Sequence, residues 1–177
     1  MSASPDLERR AAVELRASGR RLVGYVARWD SPARIGSFVE TVKRGAFAAS
    51  LASGADILAL ADHDPKAVLG RTKSGSLVLR EDAEGLAFEL ALPETQHGRD
   101  LLALAERGDL GGMSFGFRVP DGGDHWNGDQ RELRHVDLAE VSVVQSWPAY
   151  GQTTVAVRSR QPGNQLAMLH YWLETCR

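Results

Sequence analysis

Apolar and polar positions alternate in short runs through most of this chain, the period-2 signature of half-buried strands. Residues 21–29 read as a strand, broken by Asp30-Ser31-Pro32, and residues 35–42 as a second. Residues 44–52 have helical composition and stop near Gly54. A short apolar run, 57–61, leads into Asp62-His63-Asp64-Pro65. Residues 67–71, 76–80 and 86–92 read as further strands, the last two meeting at a turn over 81–85. The clearest helix lies over 95–107: Thr95 can cap it, Leu101, Leu102, Leu104 and Ala105 form its apolar face, and Gly108 ends it. Strand pattern returns at 115–119, a polar glycine-rich loop follows at 120–129, and 132–136 and 138–145 are the last strands.

About nine short strands, one central helix and frequent turns predict a mainly β or α+β fold. A compact closed β-barrel or curled sheet with a few surrounding helices fits this pattern. The flanks differ from the middle. Residues 1–20 read as a polar arm with some helical character, 21–158 as the patterned domain, and 159–177 as a linker and short apolar tail, helical over 166–174.

Composition narrows the classes. With 177 residues the chain can bury one real core, and 43% apolar and 25% charged residues are ordinary for a globular protein. A formal net charge of −2 provides no basic field for nucleic acid. No apolar run reaches the roughly 18 residues that span a membrane, and the N-terminal residues lack an apolar signal core. Cys176 is the single cysteine, which excludes an internal disulfide or a multi-cysteine zinc site and disfavours a cysteine nucleophile. A reducing, intracellular setting is expected.

The chemistry concentrates in Gly111-Gly112-Met113-Ser114-Phe115-Gly116-Phe117. Small residues around Ser114 open space for a substrate and leave backbone N–H groups free for an oxyanion. The segment satisfies G-x-S-x-G, but the nucleophile elbow of α/β-hydrolases needs a strand before the serine and a helix after it. Here the order is reversed, and that fold is rejected. A structural serine in a turn is the competing reading.

A serine needs a base, usually histidine. His97 sits in the first helical turn, His125 in the polar loop and His170 in the tail, while His135 lies at a strand and could line the site. His63 directly follows a buried-looking strand, where a rigid scaffold presents side chains. Asp62-His63-Asp64 could also be a solvated turn or a metal site, but no second ligand pair at helical spacing accompanies it. The base needs an acceptor to fix its tautomer. Glu140, inside the apolar run 138–144, is costly to bury without a partner. Asp137 and His135 are the rivals, and Glu140 could instead lie on a solvent face or pair with Arg118 or Arg134.

Five pieces then line up in order: Gly24-Tyr25-Val26-Ala27; Phe38-Val39-Glu40 with Arg44-Gly45-Ala46-Phe47; Asp62-His63 with Leu69-Gly70; Gly112 to Phe117; and Leu138 to Val144 with Pro148-Ala149. Over residues 22–157 the chain resembles the prohead (head-maturation) serine proteases of tailed phages, prophages and gene transfer agents. Those enzymes are related in fold to the herpesvirus capsid protease, assemblin. The resemblance implies a closed β-barrel and a serine endopeptidase, with Ser114 as nucleophile and His63 as general base. Glu140 takes the third place, at the motif position of assemblin's second histidine. Oxyanion donors are expected near Gly111 and Gly112 and near Ala149. It further implies a major capsid or scaffold protein as substrate, no cofactor, no metal, no nucleic acid or membrane partner, and a homodimer by analogy. Action inside the immature head, in the bacterial cytoplasm, follows from the same resemblance. A catalytically silent head-assembly factor of the same fold and an unrelated small-substrate serine hydrolase are the alternatives.

Overall fold

The computed structural model describes residues 6–12 and 15–146. Strands β1 (Glu8–Ala12), β2 (Leu15–Ser18), β3 (Arg21–Arg28), β4 (Ala33–Ile35) and β5 (Phe38–Val42) come first, then helix α1 (Ala48–Ala52). Strands β6 (Leu58–Ala61), β7 (Asp64–Arg71), β8 (Leu77–Glu81) and β9 (Gly85–Ala91) precede helix α2 (Gln96–Arg107). Strands β10 (Gly112–Arg118), β11 (Asp124–Asn127), β12 (Gln130–Leu133) and β13 (Asp137–Val144) complete the described chain. The fold is mainly β, as the alternation predicts.

The strands pair into three sheets: β1-β10-β13-β6-β7, β11-β12-β5-β4 and β2-β3-β9-β8. The described ladders close none of the three on itself. In the first sheet, β13 lies between β10, to which it is antiparallel, and β6, to which it is parallel. This central strand therefore joins the serine segment on one side to the strand leading into His63 on the other.

Strand β10 shows how the sequence sets the two faces. Met113, Phe115 and Phe117 alternate into the core. Phe115 stacks on Phe117 at 5.2 Å and meets Phe47 edge-on at 5.6 Å, and Phe47 in turn lies 6.0 Å from Trp29. That anchorage commits Ser114 and Gly116, at the intervening positions, to the opposite face.

Helix α2 begins and ends where its caps predict. Thr95 Oγ1 accepts from the Gly98 N–H at 3.3 Å, and Gly108 takes a left-handed conformation with φ 74°. Four expectations need correction. Residues 8–12 and 15–18 are strands rather than a partly helical arm. Their charge does not mark an arm in solvent, because Glu8 and Arg10 point at buried partners of opposite sign instead of at water. The glycine-rich loop contains β11, which folds onto β12 through Asn127-Gly128, with Gly128 at φ 61°. The strand over 35–42 is a hairpin of β4 and β5, turning at Gly36. The helix over 44–52 is only α1, because Gly45 at φ 87° holds the preceding residues in a turn. The expected linker, the apolar tail, His170 and Cys176 lie outside the described residues.

Phe47 is fully buried in the apolar core, between the rings of Trp29 and Phe115. Phe47→Ala is expected to cost about 3–5 kcal/mol of unfolding free energy, read from the urea midpoint at unchanged denaturant slope.

Candidate active site

The site is built across β10, β13 and the β6–β7 turn. Ser114 on β10 stands opposite Ser142 on β13, and Gly116 stands opposite Glu140. Residues opposite one another in a ladder share a face, so these four positions line one patch of the sheet. On the other side of β13, Ser142 pairs with Leu60 and Val143 with Ala61, which brings the end of β6 level with Ser142.

His63 enters this patch from a hairpin loop of two residues, since Ala61 pairs with Asp64. Asp62 and His63 have φ of 46° and 61°, both left-handed, as a two-residue hairpin loop favours. Such conformations cost side-chain-bearing residues on the order of 1–3 kcal/mol each. Surrounding bonds offset that cost. The Asp62 N–H donates to the Val143 carbonyl at 3.0 Å. The Asp62 carboxylate accepts from the Gln145 N–H at 2.9 Å and from its Nε2 at 2.6 Å. The His63 N–H donates to Ser142 Oγ at 3.2 Å. Asp62 is thus an anchor of the turn.

The histidine ring lies 2.6 Å, Nδ1 to Oε1, from Glu140. The other oxygen of Glu140 accepts from Ser142 Oγ at 2.8 Å, and Arg9 Nε stands 3.5 Å from Oε1. Burial pushes the Glu140 carboxyl up, but the bonds from His63 and Ser142 and the charges of His63 and Arg9 outweigh it and hold the group below its ordinary value. An ionised Glu140 accepts the Nδ1 proton, so Nε2 is left with its lone pair. That is the tautomer a general base needs.

Ser114 is 3% exposed, and its hydroxyl donates to the Arg10 carbonyl on β1 at 2.8 Å. Among the described residues it makes no hydrogen bond to His63. The structure therefore joins His63 to Glu140 and sets Ser114 on the adjacent strand of the same face, with its hydroxyl engaged elsewhere.

The rivals for the third place lie apart. Asp137 is exposed at the start of β13, and His135 is exposed after β12, with its N–H on the Gly123 carbonyl at 2.8 Å. His97 and His125 are exposed as well. The Gly111 N–H already donates to the Val144 carbonyl at 2.8 Å, so it is not free for an oxyanion. Gly112 pairs with Val144 at φ 134°, and Ala149 lies outside the described residues.

Two contributors escape a reading of single motifs. Ser142 is fully buried and touches both Glu140 and the His63 backbone. Its signal was present: polar residues at alternate positions, Glu140 and Ser142, inside an apolar strand. Gly116 leaves room for the carboxylate, since a Cβ there would stand 2.5 Å from Glu140 Oε1.

A buried carboxylate is thus bonded to a histidine, and a serine stands on the same face one strand away. The chain belongs to the caudovirus prohead serine protease family, whose family model matches residues 6–166 of its 177. No curated protein and no solved structure matches it.

Gly116→Ala is expected to displace the Glu140 carboxylate, costing about 1–3 kcal/mol of stability. The His63 Nδ1 proton should lose its downfield NMR resonance. A second expectation concerns acid. Because the folded Glu140 titrates below 4.5, its stabilising contribution is complete above that value and lost as pH falls through the lowered one. Glu140→Gln should flatten the acid limb of the stability curve measured by denaturation between about pH 5 and pH 2.

Proposed function

We propose that this chain is the endopeptidase that trims capsid or scaffold protein inside an immature phage-type head. The observation that carries the reading is the 2.6 Å bond from His63 Nδ1 to the buried Glu140 carboxylate, on the face where Ser114 stands opposite Ser142. Membership of the prohead serine protease family supplies the substrate class. In this reading Ser114 Oγ attacks the peptide carbonyl carbon while its proton passes to His63 Nε2. The same proton then goes to the leaving amine, and water repeats the sequence to release the acyl group. Glu140 holds the ring and stabilises the imidazolium that forms. Attack requires the Ser114 hydroxyl to leave the Arg10 carbonyl and turn to the ring. Gly112 and the segment around Ala149 are the remaining oxyanion candidates.

The assemblin-like barrel belongs to the same proposal. Two features support it: β1 and β2 are consecutive yet enter different sheets, and the Arg71 N–H at the end of β7 donates to Ser76 Oγ, just before β8, at 2.9 Å. The three sheets then act as staves of one curved wall. A homodimer is proposed as the active form, acting within the assembling head in the bacterial cell.

Mass spectrometry of the major capsid protein's N-terminus, with and without this protein, tests the function. Cleavage and fluorophosphonate labelling are both expected to vanish in Ser114→Ala; cleavage that persists would remove Ser114 from the mechanism. Glu140→Gln should lower the rate on the order of 10²–10⁴-fold, far more than Asp137→Asn. A larger effect of the aspartate change would exchange their roles.

A further inference from the structure

Strand β1 is attached as a bound peptide is attached. It is the terminal strand of its sheet and runs antiparallel to β10, from Glu8 opposite Phe117 to Ala12 opposite Met113. Among its described side chains none enters the apolar core, and Arg9 and Ala11 are exposed. Main-chain pairing, the 3.5 Å approach of Arg9 Nε to Glu140, and two further ionic anchors hold it. Arg10 Nε and Nη2 meet the two oxygens of Glu40 at 2.5 and 2.8 Å, with the guanidinium 5.4 Å from the centre of the Phe117 ring. Glu8 receives Nη1 and Nη2 of Arg131 at 2.6 and 2.8 Å.

The receptor for these anchors also has bonds of its own. Arg131 binds Glu40 at 3.0 Å and Asp124 at 2.8 Å, and Glu40 is 2% exposed. Burial pushes the Glu8 carboxyl up, yet Arg131 and Arg10 hold it below its ordinary value, so the anchor stays charged. Backbone bonds for affinity and pockets for alternate side chains are the means by which a sheet edge recognises an extended peptide. The strand offering that edge is β10, and the carbonyl of Arg10 is the group that occupies the Ser114 hydroxyl. The hydroxyl donates to that carbonyl oxygen, so its proton is engaged on β1 and not on His63.

We propose that β1 is the chain's own occupant of the substrate groove, and that this groove selects extended segments with an acidic residue two positions before a basic one. The acidic side chain meets Arg131, the basic one meets Glu40 and Phe117, and the carbonyl of the basic residue arrives at Ser114. Substrate displaces β1, which frees the Ser114 hydroxyl for His63. The inference rests on the reading of Ser114 as nucleophile.

The test uses the full chain and its Arg10→Gln variant, followed by fluorophosphonate labelling and by hydrogen exchange of the β1 amides. The variant is expected to exchange faster in β1 and to label about ten-fold faster, because the competent population rises. A peptide with the sequence of residues 6–12, DLERRAA, should slow that labelling again, whereas DLRREAA, with the two anchors exchanged, should not. Arg10→Lys keeps the charge without the paired contact and serves as the second variant if Arg10→Gln does not fold. Faster β1 exchange with unchanged labelling would overturn the proposal. So would β1 amides that stay fully protected, or equal slowing by both peptides. If no chain labels, the serine assignment has failed and the groove is read separately, by fluorescence anisotropy of tagged DLERRAA on the variant. Binding about ten-fold tighter than DLRREAA then upholds the groove, and equal or absent binding refutes it.

Discussion

A carboxylate in the middle of a central strand is the constraint around which this molecule is arranged. Glu140 is 7% exposed, flanked by apolar neighbours on β13, and charged. Such a group is tolerable only when its oxygens are filled. The chain fills them with His63 and Ser142, and keeps the facing position free of a side chain at Gly116. The parallel pairing of β13 with β6 brings the histidine turn to the carboxylate, and the antiparallel pairing with β10 brings Ser114 to the same face. The left-handed turn at Asp62 and His63 is held by Val143, Ser142 and Gln145, and the bond to Glu140 fixes the ring that the turn presents.

The aromatic side of β10 does complementary work. Phe115 and Phe117 bind the strand into the core with Phe47, so the position of Ser114 follows from alternation rather than from its own contacts. A slip of one residue would bury the serine among aromatics and expose a phenylalanine. The register is therefore defended by apolar burial on one face and by polar pairing on the other.

Much of this was readable in the sequence, for reasons that are physical. Thr95 and Gly108 are local signals, and α2 follows them. Glu140 stood out because a charge inside an apolar run needs an explanation, and the His63 bond provides it. The N-terminal strands are not legible locally, because charged residues at alternate positions look the same whether they face solvent or a buried partner. Glu8 and Arg10 are matched by Arg131 and Glu40, which are distant in sequence and invisible to a local window. Asn127-Gly128 marked a hairpin that the polar composition around it concealed. The engagement of the Gly111 N–H and of the Ser114 hydroxyl depended on which strands lie alongside, and no spacing rule carries that.

The parallel junction of β13 with β6 has a consequence for timing. It joins segments about 80 residues apart in the chain, and His63 and Glu140 are 77 positions apart. Contacts of such separation form late, after loop-closure entropy has been overcome. No hairpin or isolated helix of this protein contains both partners. A nascent or half-folded chain accordingly carries His63 and Glu140 unjoined, and the bond between them belongs to the completed fold.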